Sequence, residues 1–188
     1  MSDLVHRPSI APADQPAALD RLERAVRART DLRPRVGIVL GSGLAALADR
    51  IEDAVVIPFE ELPGWPAATA PGHDGRLILG TLEGVPVVVQ KGRFHLYEGH
   101  DAGLVVQPVL LMGRLGAQTL FLSNAAGGLD PAFGAGTLMV IRDHVNLTGR
   151  SPLLGSNADA LGPRFPDMTE VWTAALRERL LAAGRAEG

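Results

Sequence analysis

Arg93, His95 and Tyr97 alternate with Phe94 and Leu96 in the stretch Gly92-Arg93-Phe94-His95-Leu96-Tyr97-Glu98-Gly99-His100. An extended backbone sends neighbouring side chains to opposite sides, so the three polar groups are expected on one face and the two apolar ones on the other. At about 3.3 Å per residue, Arg93 and Tyr97 would stand roughly 13 Å apart, a span that runs from a phosphate to a neighbouring sugar. The same pattern also describes an edge strand with a wet polar face. Flanking Gly92 and Gly99 favour a ligand approaching the backbone closely.

A second candidate is the loop Gly41-Ser42-Gly43, which follows the apolar run Val36-Gly37-Ile38-Val39-Leu40. Such a run reads as a strand buried on both faces of a covered sheet. The segment from Leu44 to Ala48 has good helix propensity, so the loop is expected to feed a helix N-terminus, where amides and dipole favour an anion. Ser42 adds a hydroxyl. Two other readings stay open on this stretch: a tight turn with no ligand, and a dinucleotide fingerprint with Glu60 or Glu61 as the ribose-binding acid. A third loop, Asn124-Ala125-Ala126-Gly127-Gly128, repeats the design after the strand-like residues 118–123. In a parallel sheet both loops would open at the same carboxyl edge.

Composition narrows the classes. The 188 residues are 46% hydrophobic, enough for a sizeable core and expected to form a single domain over 1–188, with residues 1–13 disordered. A net charge of −3 lacks the basicity expected of a nucleic-acid partner. Cysteine is absent, which removes disulfides and thiolate metal sites, and the five histidines lack a paired-ligand spacing. No metal is expected. No apolar run approaches the ~18 residues of a membrane span, and the first residues lack a secretory pattern, so a cytoplasmic protein is expected.

Several elements must position these groups. A helix is expected over residues 16–30, capped by Asp14, with Leu19, Leu22 and Val26 on one face. A strand over 54–57 precedes a breaker-rich loop over 59–75 that carries Trp65 and His73. Residues 76–82 and 85–91 read as a hairpin turning at Glu83-Gly84. A helix over 101–115 is expected to stop at Gly116 and to bend at Pro108. Beyond it come a strand over 138–141, an ion pair within Arg142-Asp143-His144 bracing its end, and a helix over 168–183. The fold class is α/β, with a mixed, largely parallel central sheet flanked by helices.

Five segments in order, Gly41-Ser42-Gly43-Leu44, Gly92 to Gly99, Asn124 to Gly128, Ile141 to Leu147 and Gly162-Pro163-Arg164-Phe165-Pro166-Asp167-Met168, resemble the trimeric purine nucleoside phosphorylases. The resemblance implies phosphorolysis of purine ribo- or deoxyribonucleosides to free base and pentose 1-phosphate, with inorganic phosphate as co-substrate and no cofactor. It implies phosphate binding by Ser42, His73, Arg93, His95, Asn124 and Ala125, with His73 on a closing loop. Tyr97, Ala125, Ala126 and Gly127 would bind the nucleoside, His95 and Tyr97 standing closest to the chemistry. A homotrimer is implied.

Two departures from that pattern matter. The C-terminal third of the family pattern, which supplies the groups that grip the purine, is expected to lie beyond Gly188. Leu161 stands where some members carry a sugar-site aromatic lent by a neighbouring subunit. Three alternatives accompany the leading reading: a methylthioadenosine phosphorylase of the same family, a nicotinamide-dependent oxidoreductase, and an inactive fragment kept for assembly. The last expects weak phosphate binding and little turnover.

Overall fold

A computed structural model describes residues 10–41, 43–67 and 75–187. Five strands form one mixed sheet in the order β2-β3-β4-β1-β5. These are β1 (Val36–Leu40), β2 (Glu52–Pro58), β3 (Arg76–Leu82), β4 (Val85–Lys91) and β5 (Thr119–Leu122). β1 pairs parallel with both β4 and β5, and β3 runs antiparallel to β2 and β4. Three helices, α1 (Gln15–Arg27), α2 (Ala102–Leu115) and α3 (Ala174–Glu187), complete the regular elements together with short 3-10 turns.

Alternation along the strands divides the core between the two faces of the sheet. Val39, Leu77, Leu79 and Val88 point into one cluster with Leu19, Leu22 and Val26 of α1 and Leu104, Leu111, Met112 and Leu115 of α2. Ile38, Leu40, Ile78, Val87 and Val89 point into the other, closed by Ala48 and Ile51. α1 and α2 thus cover the same face. The opposite face is covered at β1 by the 3-10 turn Ala45–Arg50, which stands where an α-helix was expected after the glycine loop. At Gly37 a Cβ would come within 2.8 Å of Met112 Sδ, so the missing side chain lets α2 lie close on β1.

The hairpin turns at Glu83 and Gly84 with φ of 48° and 74°, the pair of left-handed residues that matches strand twist. α2 begins at Asp101, whose Oδ1 accepts from Leu104 N at 2.7 Å, and ends at Gly116 with φ 119°. It runs through Pro108 as one element.

Five expectations need correction. Asp14 makes no side-chain cap, because it closes a 3-10 turn over Pro12–Asp14 that runs directly into α1. α1 ends at Arg27 rather than at residue 30. Residues 138–141 form no strand; Leu138 is 93% exposed, and an apolar run without a paired neighbour has no ladder to join. Arg142 and Asp143 share no ion pair, and the described contacts there are His144 N to Asp143 Oδ1 and Trp172 Nε1 to His144 Nδ1 at 3.2 Å. The last helix starts six residues later than expected, at Ala174 instead of 168.

Candidate active site

The parallel arrangement of β4, β1 and β5 brings three strand ends to one edge. Leu40 lies opposite Lys91, and Val39 opposite Leu122, so the Gly41 loop, the Gly92-Arg93 segment and Ser123-Asn124 leave the sheet side by side. The expectation of a shared carboxyl edge holds, and β4 adds a third loop to it. Gly43 and Gly92 turn the chain with φ of 87° and 88°. Gly41 has a different reason to lack a side chain: a Cβ there would sit 2.5 Å from the Ser123 carbonyl oxygen and 2.8 Å from Asn124 Cα.

Hydrogen bonds fasten this junction. Gly41 N donates to Ser123 Oγ at 2.8 Å, Ser123 Oγ donates to the Val39 carbonyl at 3.2 Å, and Ser123 N donates to that same carbonyl at 3.0 Å. Arg93 Nη1 donates to the Ser123 carbonyl at 3.2 Å, taking one of the five donors of the guanidinium fork. Lys91 Nζ stands 3.7 Å from Asp49 and ties the end of β4 to the turn that follows the glycine loop.

The Arg93 to Tyr97 segment departs from the extended ribbon expected of it. Alternation holds through His95, with Phe94 buried between the partly exposed Arg93 and His95, and then Leu96–Glu98 closes into a 3-10 turn. The cause is Glu98. Its side chain, 8% exposed, accepts from His95 N and His95 Nδ1, both at 2.9 Å, and lies 4.0 Å from His100 Nε2. Reciprocal bonding of this kind nucleates a turn as a capping box does at a helix start. Tyr97 is therefore 78% exposed, and its ring stacks on His95 at 4.6 Å between centroids.

Phe94 anchors the segment from below. Its ring meets Phe59 at 5.0 Å, Trp65 at 5.5 Å and His100 at 5.6 Å. Trp65 Nε1 donates to Gln107 Oε1 at 2.7 Å, Gln107 donates to Gln15 Oε1, and Gln15 donates to the Gly103 carbonyl. This continuous polar chain fixes the aromatic cluster to α1 and α2.

Arg93, His95 and Asn124 thus come to one edge, although Asn124 turns its side chain back to the Ala125 carbonyl at 3.1 Å. Ala125, Ala126 and Gly127 follow as exposed, irregular chain. Ser42 and His73 lie outside the described residues. Glu98 and Ser123 carry no role in the sequence reading; the three-residue spacing of His95 and Glu98, and a polar residue ending a buried strand beside a glycine loop, were the available clues. Among the described residues no group of three or more His, Asp or Glu could hold a metal ion, and no helix is long and apolar enough to cross a membrane.

The dinucleotide alternative fails on topology. β2 stands three positions from β1, on the order of 14 Å away, whereas a ribose-binding acid must follow the neighbouring strand. Glu61 instead pairs with Arg29 at 2.6 Å.

Residues 35–188 match the family model described as the Phosphorylase superfamily. The chain belongs to the phosphorylase superfamily. Within it, purine nucleoside phosphorylase 1 of Geobacillus stearothermophilus is 45% identical over 161 residues, covering 86% of this chain and 59% of that protein. Purine nucleoside phosphorylase 1 of Bacillus subtilis is 47% identical over 156 residues, 81% of this chain and 58% of that one. The crystal structure of Schistosoma mansoni purine nucleoside phosphorylase in complex with inosine superposes with a TM-score of 0.87 at 34% identity, covering 97% of this chain and 64% of the other. The chain thus spans more than half, and less than two thirds, of the length of these superfamily relatives.

Proposed function

We propose that the protein is a purine nucleoside phosphorylase, and that the edge formed by β1, β4 and β5 binds the attacking phosphate. The convergence of the Gly41 loop, Arg93 and the Ser123-Asn124 turn on one edge carries this reading. Phosphate attacks the anomeric carbon of the nucleoside, a carbon–oxygen bond forms as the bond to the purine nitrogen breaks, and the purine leaves with the electron pair and takes a proton. Products are the free base and pentose 1-phosphate.

Arg93 presents a planar fork suited to two phosphate oxygens, worth about 1.5 to 3 kcal/mol when charge-assisted. Ser42 and His73 add donors from their loops. Glu98 holds His95 through Nδ1, and Nε2 is the nitrogen we assign to phosphate. Asn124 and the amide at Ala125 complete the anion's shell. As the sugar gains positive character, the phosphate beneath it stabilises that charge. Tyr97 faces the sugar, and Ala125, Ala126 and Gly127 line the purine side, with Leu161 giving apolar cover. Phosphate serves as co-substrate, and no cofactor takes part. A homotrimer in the cytoplasm is the setting we assign, from the resemblance and from the lack of cysteine.

Calorimetric titration with inorganic phosphate, followed by an inosine cleavage assay with and without phosphate, tests the reading. Phosphate is expected to bind, and hypoxanthine to appear only when phosphate is present. Absence of phosphate binding, or cleavage that proceeds equally without it, would overturn the proposal.

A further inference from the structure

We infer that Ser123 is a positioning residue that sets the Gly41 loop and the Arg93 guanidinium in one geometry, so that an anion meets both at once. This rests on the phosphate reading of the edge. Ser123 touches both elements and uses different atoms for each: Oγ accepts from Gly41 N at 2.8 Å, and the carbonyl accepts from Arg93 Nη1 at 3.2 Å.

The hydroxyl is committed on both sides, since it also donates to the Val39 carbonyl at 3.2 Å. It therefore acts on the site through its neighbours and is not itself an anion ligand. The regular β1–β5 pairing ends at Val39 and Leu122, one residue short of the loop. Gly41 is buried, and its amide lies past the end of that ladder. Ser123 Oγ takes the place of the next carbonyl and extends the pairing into the loop. The bare Gly41 Cα permits this, because a side chain would strike the Ser123 carbonyl oxygen, the same atom that holds Arg93. A shift of the Ser123 backbone would thus move both the loop and the guanidinium.

The hydroxyl can be removed in Ser123→Ala and retained in Ser123→Thr. Two measurements apply to each: calorimetric titration with inorganic phosphate, and exchange of the Gly41 amide hydrogen followed by NMR. Ser123→Ala is expected to weaken phosphate about tenfold and to speed Gly41 exchange by a similar factor, with both returning toward wild type in Ser123→Thr. Unchanged phosphate affinity in Ser123→Ala, or a Ser123→Thr chain as weak as Ser123→Ala, overturns the inference. Should Ser123→Ala fail to fold, Ser123→Cys keeps a weaker donor and acceptor and is expected to bind phosphate at intermediate affinity; wild-type affinity there overturns it. A wild-type chain that binds no phosphate at all defeats the phosphate reading and this inference with it. Slow Gly41 exchange in the wild-type chain, lost in Ser123→Ala, would then still show that the hydrogen bond forms in the wild-type chain, and so separate that failure from a misplaced Ser123.

Discussion

Residues up to Ser123 and residues after it are patterned alike and behave differently. In the first region β1, β3 and β4 bury both faces, and Leu19, Leu22, Leu104 and Leu111 are fully enclosed. In the second, Leu129 is 99% and Phe165 87% exposed, and no strand forms between β5 and α3. Apolar content alone does not make an element. A strand needs a paired neighbour for its backbone as well as a surface for its side chains, and residues 138–141 have no paired neighbour. The candidate site straddles the boundary: Arg93, His95 and Ser123 stand on the packed region, whereas Ala125 to Gly127 belong to the exposed one.

Substitutions at matched leucines test this contrast most strongly. Leu104→Ala should lose about 2–5 kcal/mol in urea denaturation, and Leu129→Ala less than about 0.5 kcal/mol. Similar losses at both would mean that the second region is packed after all. At the boundary, Gly41→Ala forces a methyl against the Ser123 carbonyl and should cost about 1–3 kcal/mol together with most of the phosphate affinity. Retention of both would show that the β1 and β5 ends are free to part.

A smaller effect is expected at the hairpin, where Glu83 adopts a left-handed conformation that asparagine tolerates better. Glu83→Asn should stabilise the chain by under about 1 kcal/mol, since the Arg50 pair it removes is exposed and worth little. Destabilisation would place more weight on that pair. Smallest of all is a titration in the exposed region. Asp167 is held below the ordinary 3.8 by the Thr169 hydroxyl and then by the Thr169 amide. A depressed carboxylate stabilises its turn at pH above its ordinary value, and that contribution is lost as pH falls through the lowered one. Thr169→Ala should move the Asp167 midpoint upward by NMR, and an unmoved midpoint would remove the hydroxyl as its main cause.

Much of the packed region was legible in the residues themselves. The spacing of Leu19, Leu22 and Val26 gave α1, Asp101 and Gly116 bracketed α2, and Glu83-Gly84 gave the hairpin, because each depends on local geometry. The shared edge of the Gly41 and Asn124 loops followed from two apolar runs ending in small residues. What escaped depends on partners distant in sequence or on competing local bonds. Tyr97 left the expected ribbon because Glu98 captures His95, and Asp14 lost its cap to the turn preceding α1. Ser123 has no sequence mark beyond its place at a strand end; its importance arises only when β5 lies beside β1.

The central claim is that three strand ends form one anion site, and phosphate affinity of the wild-type and Arg93→Ala chains measures it most directly. Wild type is expected to bind inorganic phosphate, and Arg93→Ala to bind it at least about tenfold more weakly while inosine binding changes little. Equal phosphate affinity in the two chains, or equal losses for phosphate and inosine, would contradict it.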